Sequence, residues 1–547
     1  MLLPLPPGPV ATLLTAAAAT TAAASAALRT DVLSPFPTAP LPGDAGRRPI
    51  GVVDARLPAS VSPARLRVRL FYPAAAARRG VAGWVPRRRA AWLPPSFGRP
   101  WQPHTTAAGI VAFVKGPPGA GLLLSTFAAL RLRALAAPPF VGRATSAGEA
   151  AVGERHRDGN GTVYGAVPGR SGDGNGAAAT SAPPLGDDRL PLILFSHGLA
   201  GSVCGYTATC TALAAAGDGA LVVAVEHADG SAFATQVTGA DGQPVTIPYK
   251  SFDNVTAAAS AGGYTDERAF RAAQVDQRVA ELTAAVAGVA AWAAGEEVVE
   301  PLGGGGGVDL AGRVDAGRVA VVGHSFGGAT AFTYCHAARK AAAAAAGRGD
   351  DGGLAAPMVH SCVMLDAWMY AVPDRLLQDG VAVPTLFITA GRSSMPLSIA
   401  AQRTLLGVDA ARVKRSSGGG GGDAARSPPS TKDGGPAVAW VELVGAMHNN
   451  QSDFPLVLPR FAAVRAGMSA PDIDAAAVAG VNSALTAAWV TGAWGEGGVR
   501  GAAAKVSTAV ASLPDPAAVR EVSSLGGDSG TGARARGQAA TRSGNGD

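Results

Sequence analysis

The sequence predicts an α/β fold with a doubly wound, mostly parallel sheet and helices on both faces. Near-continuous apolar runs bounded by turn residues recur along the chain, which is typical of parallel strands buried on both faces. Stretches with helical spacing of apolar residues separate them, most clearly residues 266–294. This alternation is the order expected of a parallel sheet covered by helices.

Seven segments are predicted to be strands. The earliest, residues 64–73, alternates Leu66, Val68 and Leu70 with arginines, so we expect a half-exposed strand. The other six are the near-continuous apolar runs over 190–198, 220–227, 318–325, 359–368, 382–391 and 437–448.

Glycine-rich, low-complexity segments interrupt this chain of 547 residues, of which 73 are glycine. They bury too little apolar surface to offset the entropy lost on ordering, so they are predicted to be disordered. The predicted organisation is an Ala/Pro-rich segment over 1–45 (targeting or disordered), one large α/β domain over 46–495 and a disordered tail over 496–547. Insertions in the domain are predicted near 145–188, 303–307, 340–353 and 414–436.

Charge and cysteine content limit the classes of partner and cofactor. The net charge is +6, and residues 29–99 hold 13 arginines against three acidic residues. That excess suits an anionic lipid surface or is compositional drift, and no nucleic-acid-binding motif accompanies it, so nucleic acid is not a predicted partner. The four cysteines form no C-x-x-C pair and are expected to be small buried apolar residues. Residues 1–28 lack the basic start of a secretory signal, so the compartment is left unassigned.

Three predicted strands each deliver one residue of catalytic chemistry at the carboxyl end: Ser325, Asp366 and His448. Because the carboxyl ends of parallel strands meet at one edge of a sheet, we expect these side chains to lie together. Ser325 is the centre of GHSFG (323–327), a G-x-S-x-G motif that indicates a nucleophile on a tight strand-to-helix turn. The order Ser, Asp, His is that of the α/β-hydrolase fold.

Each residue type fits one role in ester hydrolysis. A serine hydroxyl needs a base to remove its proton, and His448 is the predicted base. Asp366 is predicted to orient that imidazole, with Asp374 and Asp379 as alternatives. The chemistry requires no metal, nucleotide or flavin, and no cofactor is predicted.

Two backbone amides are predicted to stabilise the oxyanion. One is the N–H of Phe326, directly after the nucleophile, and the other is the N–H of Leu199 in FSHGLAG (195–201). His197 and His324 belong to turns and are expected to orient backbone rather than carry protons.

Several longer motifs carry a family resemblance. They are LILFSHGL, VVAVEHADGSAFAT, QVDQRVAEL, VVGHSFGGAT, LDAWMY and GAMHNNQSDF, with LRVRLFYPA and GWVPRR before them. From about residue 50 to 460 the chain resembles the plasma and type II platelet-activating factor acetylhydrolases.

The resemblance implies a calcium-independent serine lipase that removes short or oxidised sn-2 acyl groups from phospholipids, with residues 46–495 as the catalytic domain. By position, it assigns Ser325 as nucleophile, Asp366 as acid and His448 as base. Leu199 and Phe326 are the implied oxyanion donors. After HGL, small residues stand where a bulkier one is expected, so the acyl pocket is not assigned.

Members of that family bind lipid surfaces through apolar helical patches. The corresponding segment here, residues 121–136, is predicted to be a helix with Leu123, Phe127 and Leu130 on one side. It lies either at a lipid interface or packed on the sheet.

Two other functions remain open from the sequence. A general short-chain esterase or cutinase-like polyester hydrolase shares the serine motif and the residue order, although LDAWM and EHADGSAFAT favour a phospholipid substrate. A hydrolase fold kept only for binding is the second alternative, and the presence of all three catalytic residue types argues against it.

Overall fold

The computed structural model describes residues 49–74, 89–91, 93, 105–113, 131–136, 189–253, 264, 266–302, 307–346, 358–392, 395–405, 438–458, 460–495, 498–511 and 519–523. Within them, eleven strands form one sheet and two form a separate hairpin. The strands are β1 Ile50–Arg56, β2 Arg67–Pro73, β3 Arg89–Ala91, β4 Arg131–Ala136, β5 Leu190–Ser196, β6 Leu221–Val225, β7 Ala234–Thr238, β8 Pro244–Pro248, β9 Val314–His324, β10 Met358–Leu365, β11 Thr385–Ala390, β12 Val438–Leu443 and β13 Val519–Ser523.

The central strands run parallel, which confirms the predicted fold class. The sheet order is β13-β12-β11-β10-β9-β5-β6-β2-β1-β4-β3, and the strands from β12 to β6 are all parallel. Next to them β2 is antiparallel to both β6 and β1. The eight strands from β1 to β12 in this order have the α/β-hydrolase arrangement.

Helices cover both faces of the sheet. They are α1 Thr105–Phe113, α2 Thr207–Ala215, α3 Glu267–Ala294, α4 Phe326–Ala346, α5 Asp374–Gln378, α6 Pro396–Leu405, α7 Phe454–Val457, α8 Arg460–Arg465, α9 Ala475–Ala493 and α10 Gly498–Ala511. Val319 and Val321 of β9 pack in a core with α3 and α4, whereas Ala320 and Val322 pack in another with α2, α9 and α10. The alternation of side chains along β9 therefore fills two cores.

The predicted helix over 266–294 is confirmed, and its ends have local causes. Asp266 is the N-cap, and its side chain accepts a hydrogen bond from the Ala269 N–H at 2.8 Å. Gly295 ends the helix in the left-handed conformation, with φ of 75°.

The expectation that residues 64–73 form a half-exposed strand is wrong, because all seven residues of β2 are buried. Arg69 lies opposite Asp54 of β1, and its guanidinium donates to both carboxylate oxygens at 2.8 and 2.9 Å. Burial of an arginine is tolerated when a carboxylate matches it in this way. The alternation of apolar residues with arginines therefore did not indicate that one face of β2 is exposed.

The predicted helix over 121–136 is wrong at its carboxyl end, where residues 131–136 form β4. This strand pairs with β1 in parallel and with β3 antiparallel. Pairing with the free edge of β1 satisfies backbone groups and overrides helical preference. Leu123, Phe127 and Leu130 lie outside the described residues, so the lipid-interface patch stays a prediction.

Two segments expected to be disordered contain regular structure. Helix α4 continues to Ala346, because an alanine-rich run is a strong helix former as well as a low-complexity sequence. In the predicted tail, α10 packs on α9, and β13 pairs with β12. Residues 1–45, 145–188 and 414–436 lie outside the described residues, as do 303–306.

The glycine-rich segments share one position in the topology. The segments near 145–188, 303–307, 340–353 and 414–436 precede β5, β9, β10 and β12 respectively. In the sequence, each segment is therefore followed by a parallel strand of the central sheet.

Within the described part of the chain, α9 is the one helix long and apolar enough to cross a membrane. It has 19 residues and a mean hydropathy of 1.2, and 56% of that window is buried. It packs against α2, α10 and β10. A core helix of a globular domain has the same length and composition.

The contact between α9 and α10 leaves no room for a side chain at Gly492. A Cβ there would lie 2.3 Å from the Ala502 Cα, whereas a Cβ at Gly480 of the same helix would have nothing within 4 Å. We expect Gly492→Ala to lower the free energy of unfolding by about 1–3 kcal/mol through overpacking. The control Gly480→Ala should be neutral or add up to about 1 kcal/mol through helix propensity. Urea denaturation measures both, and equal stability of the two variants would show that the helices do not pack as described.

Candidate active site

Ser325 lies on a tight turn between β9 and α4. Its φ is +55°, which a residue other than glycine seldom adopts, and its N–H donates to the Leu365 carbonyl at 2.9 Å. A Cβ at Gly327 would lie 2.0 Å from the Ser196 carbonyl oxygen, and one at Gly323 would lie 2.0 Å from the Gly327 oxygen. Only glycine fits at these two positions.

The structure brings Ser325, His448 and Asp366 into one line of hydrogen bonds. His448 Nδ1 lies 2.6 Å from Asp366 Oδ2, and His448 Nε2 lies 3.0 Å from Ser325 Oγ. Since Nδ1–H donates to the carboxylate, Nε2 is left as the acceptor for the serine hydroxyl. This is the arrangement that a serine–histidine–acid triad requires.

Asp366, rather than either sequence alternative, contacts His448. It follows β10 with φ of +38°, and its second carboxylate oxygen accepts the Ala390 N–H at 3.1 Å. Asp374 is exposed and paired with Arg268, and Asp379 is an exposed C-cap of α5. The buried carboxylate is therefore fixed at both oxygens.

His448 lies in a loop after β12, five residues beyond the end of the strand. This loop is held by amide side chains that the sequence reasoning did not assign. Asn450 Oδ1 accepts the Met447 N–H at 2.9 Å, and Gln451 Nε2 donates to the Ile388 carbonyl at 3.0 Å. The His448 side chain stays 30% exposed, so substrate can reach it.

The two predicted oxyanion donors belong to segments next to the serine: Phe326 follows Ser325 in the chain, and a Cβ at Gly198, directly before Leu199, would lie 3.2 Å from the Ser325 Cβ. Leu199 follows β5, and Phe326 is the first residue of α4, where the helix dipole favours negative charge. Among the described residues, neither backbone N–H donates to another group. The next N–H, that of Ala200, donates to the Ser231 carbonyl at 2.7 Å and fixes the loop.

A buried ion pair lies beneath this loop, and sequence reasoning missed it. Arg278 of α3 donates to Asp229 at 2.9 Å and to the His197 carbonyl at 2.8 Å, and it also contacts the Ser231 hydroxyl. Burial alone would raise the pKa of Asp229, but the Arg278 charge lowers it overall. The guanidinium also lies 4.5 Å from the centre of the Phe326 ring. Arg278 thus connects the two segments that carry the proposed oxyanion donors.

A second serine–histidine–acid set lies nearby but is closed to solvent. His227 Nε2 lies 2.8 Å from Ser196 Oγ, and His227 Nδ1 lies 2.7 Å from Glu281 Oε2. Burial and then Asp229 raise the pKa of Glu281 to about 8, while burial and then Arg278 hold the pKa of His227 well below its usual value. Both shifts favour the uncharged forms of the two side chains. With Ser196 and His227 fully buried, this set supports the end of β5 and does not meet substrate.

His197 and His324 are also buried, and both bond to backbone carbonyls, as predicted for turn histidines. Burial, followed by the Arg278 charge, holds the pKa of His197 well below its usual value. Burial, followed by His448, does the same for His324.

The four cysteines are buried and free of disulfides, as expected. In the described residues, no three His, Cys, Asp or Glu side chains cluster so that they could hold a metal ion.

Comparison with known proteins places the site in a family context. The family model for platelet-activating factor acetylhydrolase, isoform II, matches residues 173–486. Platelet-activating factor acetylhydrolase of Gallus gallus is 32% identical over 229 residues, covering 41% of this chain and 49% of the relative. The protein of that name from Bos taurus is 30% identical over 224 residues, covering 41% and 45%. The chain thus spans about half the length of the curated relatives it matches.

Acid should destabilise the fold through the buried neutral histidines. The folded-state pKa of His324 is depressed, so below about pH 6.5 the unfolded chain takes up a proton that the folded chain does not. The stability that neutral His324 contributes is full above that pH and falls by up to about 1.4 kcal/mol per pH unit below it. We expect urea denaturation between pH 7.5 and 5 to show a smaller loss for His324→Gln than for wild type. His360→Gln, at a partly exposed position, is the control; equal pH slopes for all three proteins would contradict the prediction.

Proposed function

The chain belongs to the isoform II family of platelet-activating factor acetylhydrolases, and we propose that it is a serine carboxylic-ester hydrolase that removes short or oxidised sn-2 acyl groups from phospholipids. The observation that carries the proposal is the hydrogen-bonded line from Asp366 through His448 to Ser325, beside two backbone amides with no partner among the described residues. Membership of the family supports the ester-hydrolase chemistry.

The first half of the proposed reaction forms an acyl-enzyme. His448 Nε2 takes the proton of Ser325 as its Oγ attacks the ester carbonyl carbon. Negative charge develops on the carbonyl oxygen, and the N–H groups of Leu199 and Phe326 stabilise it. When the tetrahedral intermediate collapses, His448 gives the proton to the leaving lysophospholipid oxygen.

The second half releases the acid. A water molecule gives a proton to His448 and attacks the acyl-Ser325 carbonyl, and the same two amides stabilise the second oxyanion. Collapse returns the proton to Ser325 Oγ. Asp366 holds the productive imidazole tautomer and stabilises the imidazolium in both halves. Because the two amides are proposed to stabilise the oxyanion, which is the role that a bound cation would otherwise fill, the proposed reaction is calcium-independent.

The surroundings of Ser325 support an apolar acyl group. Trp368, from the LDAWM motif, donates its backbone N–H to the Ser325 carbonyl at 2.8 Å. The centre of its half-buried ring lies 5.7 Å from the centre of the Phe326 ring. Tyr370 stacks on Trp368 with ring centres 5.5 Å apart. These rings form an aromatic cluster beside the serine turn. The name of the relatives, together with this cluster, supports phospholipid as the substrate class.

Ser325→Ala tests the nucleophile. We expect it to reduce turnover of short-sn-2-acyl phosphatidylcholine and of p-nitrophenyl acetate by at least about 10⁴-fold, because the covalent route is lost. Ser361→Ala is the matched control, since that buried hydroxyl on β10 has no partner among the described residues. If only the small ester is hydrolysed by wild type, the protein is a general or cutinase-like esterase. If neither ester is hydrolysed, the enzyme proposal fails.

Asp366→Asn tests the acid. The amide cannot fix the productive tautomer of His448, so we expect kcat to fall by about 10⁴-fold with little change in KM. Asp374→Asn removes an exposed carboxylate of the same segment and should retain wild-type kinetics. A larger loss at Asp374 than at Asp366 would reassign the acid. Steady-state kinetics with p-nitrophenyl acetate decides between them.

A further inference from the structure

Three hydrogen bonds connect the loop proposed to supply an oxyanion donor with the loop that carries His448. The former, residues 196–201, is called the oxyanion loop. The Gly198 N–H donates to Tyr206 Oη at 2.9 Å, and Tyr206 Oη lies 2.9 Å from His324 Nδ1. His324 Nε2 then lies 3.2 Å from the His448 carbonyl oxygen. The line therefore runs from Gly198, beside Leu199, past Ser325 to the base.

The direction of these hydrogen bonds follows from their end groups. A carbonyl oxygen can only accept a hydrogen bond. His324 Nε2 therefore carries a proton and donates it to the backbone carbonyl oxygen of His448. In the neutral imidazole, Nδ1 is then an acceptor, and it takes the Tyr206 hydroxyl proton. The Tyr206 oxygen is left to accept from Gly198. A single arrangement of protons satisfies all three bonds.

The surroundings keep the line neutral and rigid. Tyr206 and His324 are each 3% exposed, and the Tyr206 ring packs 4.8 Å from the Phe195 ring. The His324 ring lies 4.6 Å from the His448 ring. A positive His324 would turn Nδ1 into a donor and would face the imidazolium that forms on His448. Its depressed pKa fits the neutral form.

We propose that Tyr206 and His324 are positioning residues that fix the oxyanion loop relative to the base across Ser325. Tyr206 contacts the oxyanion loop, His324 contacts the loop that carries His448, and a hydrogen bond joins Tyr206 to His324. Neither residue belongs to the triad. The bonds set the separation between the Leu199 N–H and the His448 imidazole, which must both serve one carbonyl group. This proposal rests on the proposed ester-hydrolase function.

Kinetics of Tyr206→Phe, His324→Leu and the double variant test the proposal. Loss of the line should lower kcat for p-nitrophenyl acetate by about 10- to 100-fold, because small displacements in such sites cost that much. KM should change less than about threefold. Affinity for a trifluoromethyl ketone, which forms an oxyanion on Ser325, should fall by the same factor as kcat.

The double variant separates a connected line from independent contacts. Removal of either residue already disconnects the two loops, so the second substitution should add little. The kcat of the double variant should therefore match that of the more impaired single variant within about threefold. Multiplicative losses would overturn the proposal. Tyr334→Phe is the control and should keep wild-type kcat, since this buried tyrosine hydroxyl has no partner among the described residues.

Hydrogen exchange followed by mass spectrometry gives a readout that does not depend on activity. Tyr206→Phe should speed exchange in the peptide covering 446–452 as well as in that covering 196–201, and Tyr334→Phe should change neither. Faster exchange confined to 196–201, or none at all, would overturn the coupling of the loops. If wild type hydrolyses no ester, the proposed function fails, while these exchange rates still decide whether Tyr206 and His324 couple the two loops.

Discussion

The close approach of the serine turn to the end of β5 is the constraint on which the site depends. The Ser196 carbonyl occupies the space that a Cβ of Gly327 would need, so strand and helix meet backbone to backbone. The Ser325 N–H donates to the Leu365 carbonyl, and the Ser325 carbonyl accepts the backbone N–H of Trp368. These two hydrogen bonds hold the turn against the end of β10 and the residues that follow it. Ser325 and Asp366 thus follow two adjacent strands, β9 and β10, and the loop after β12 brings His448 to 3.0 Å from Ser325 Oγ and 2.6 Å from Asp366 Oδ2.

Buried polar groups beneath the site are arranged so that few of them change charge. Arg278 and Asp229 are both fully buried, a costly arrangement unless each finds further partners. The His197 carbonyl and Ser231 supply them, and both belong to segments that shape the oxyanion loop. Around this pair, burial is the largest cause that holds the pKa values of His197, His227 and His324 well below their usual value, which favours the neutral forms of these three side chains.

Sequence reasoning succeeded where the signal was local. Apolar runs predicted the six parallel strands, and the residue types at three strand ends predicted Ser325, Asp366 and His448, which the structure brings together. It failed where pairing partners are distant: the arginines of β2 were expected to be exposed because their buried partners, Asp54 for Arg69 and Gln236 for Arg67, lie on other strands. The same limit hid the pairing of Tyr206 with His324, which are 118 residues apart. Low-complexity composition also misled, since alanine-rich stretches in α4 and α10 form helix instead of disorder.

The attachment points of two low-complexity segments separate them from the candidate site. The segments near 340–353 and 414–436 connect the carboxyl ends of α4 and α6 with the amino-terminal ends of β10 and β12, whereas Ser325, Asp366 and His448 follow the carboxyl ends of strands, at the opposite edge of the sheet. Added chain length at these two connections does not have to cross the edge that carries the three side chains. Both connections are therefore rational places to insert an affinity tag or a fluorescent reporter domain.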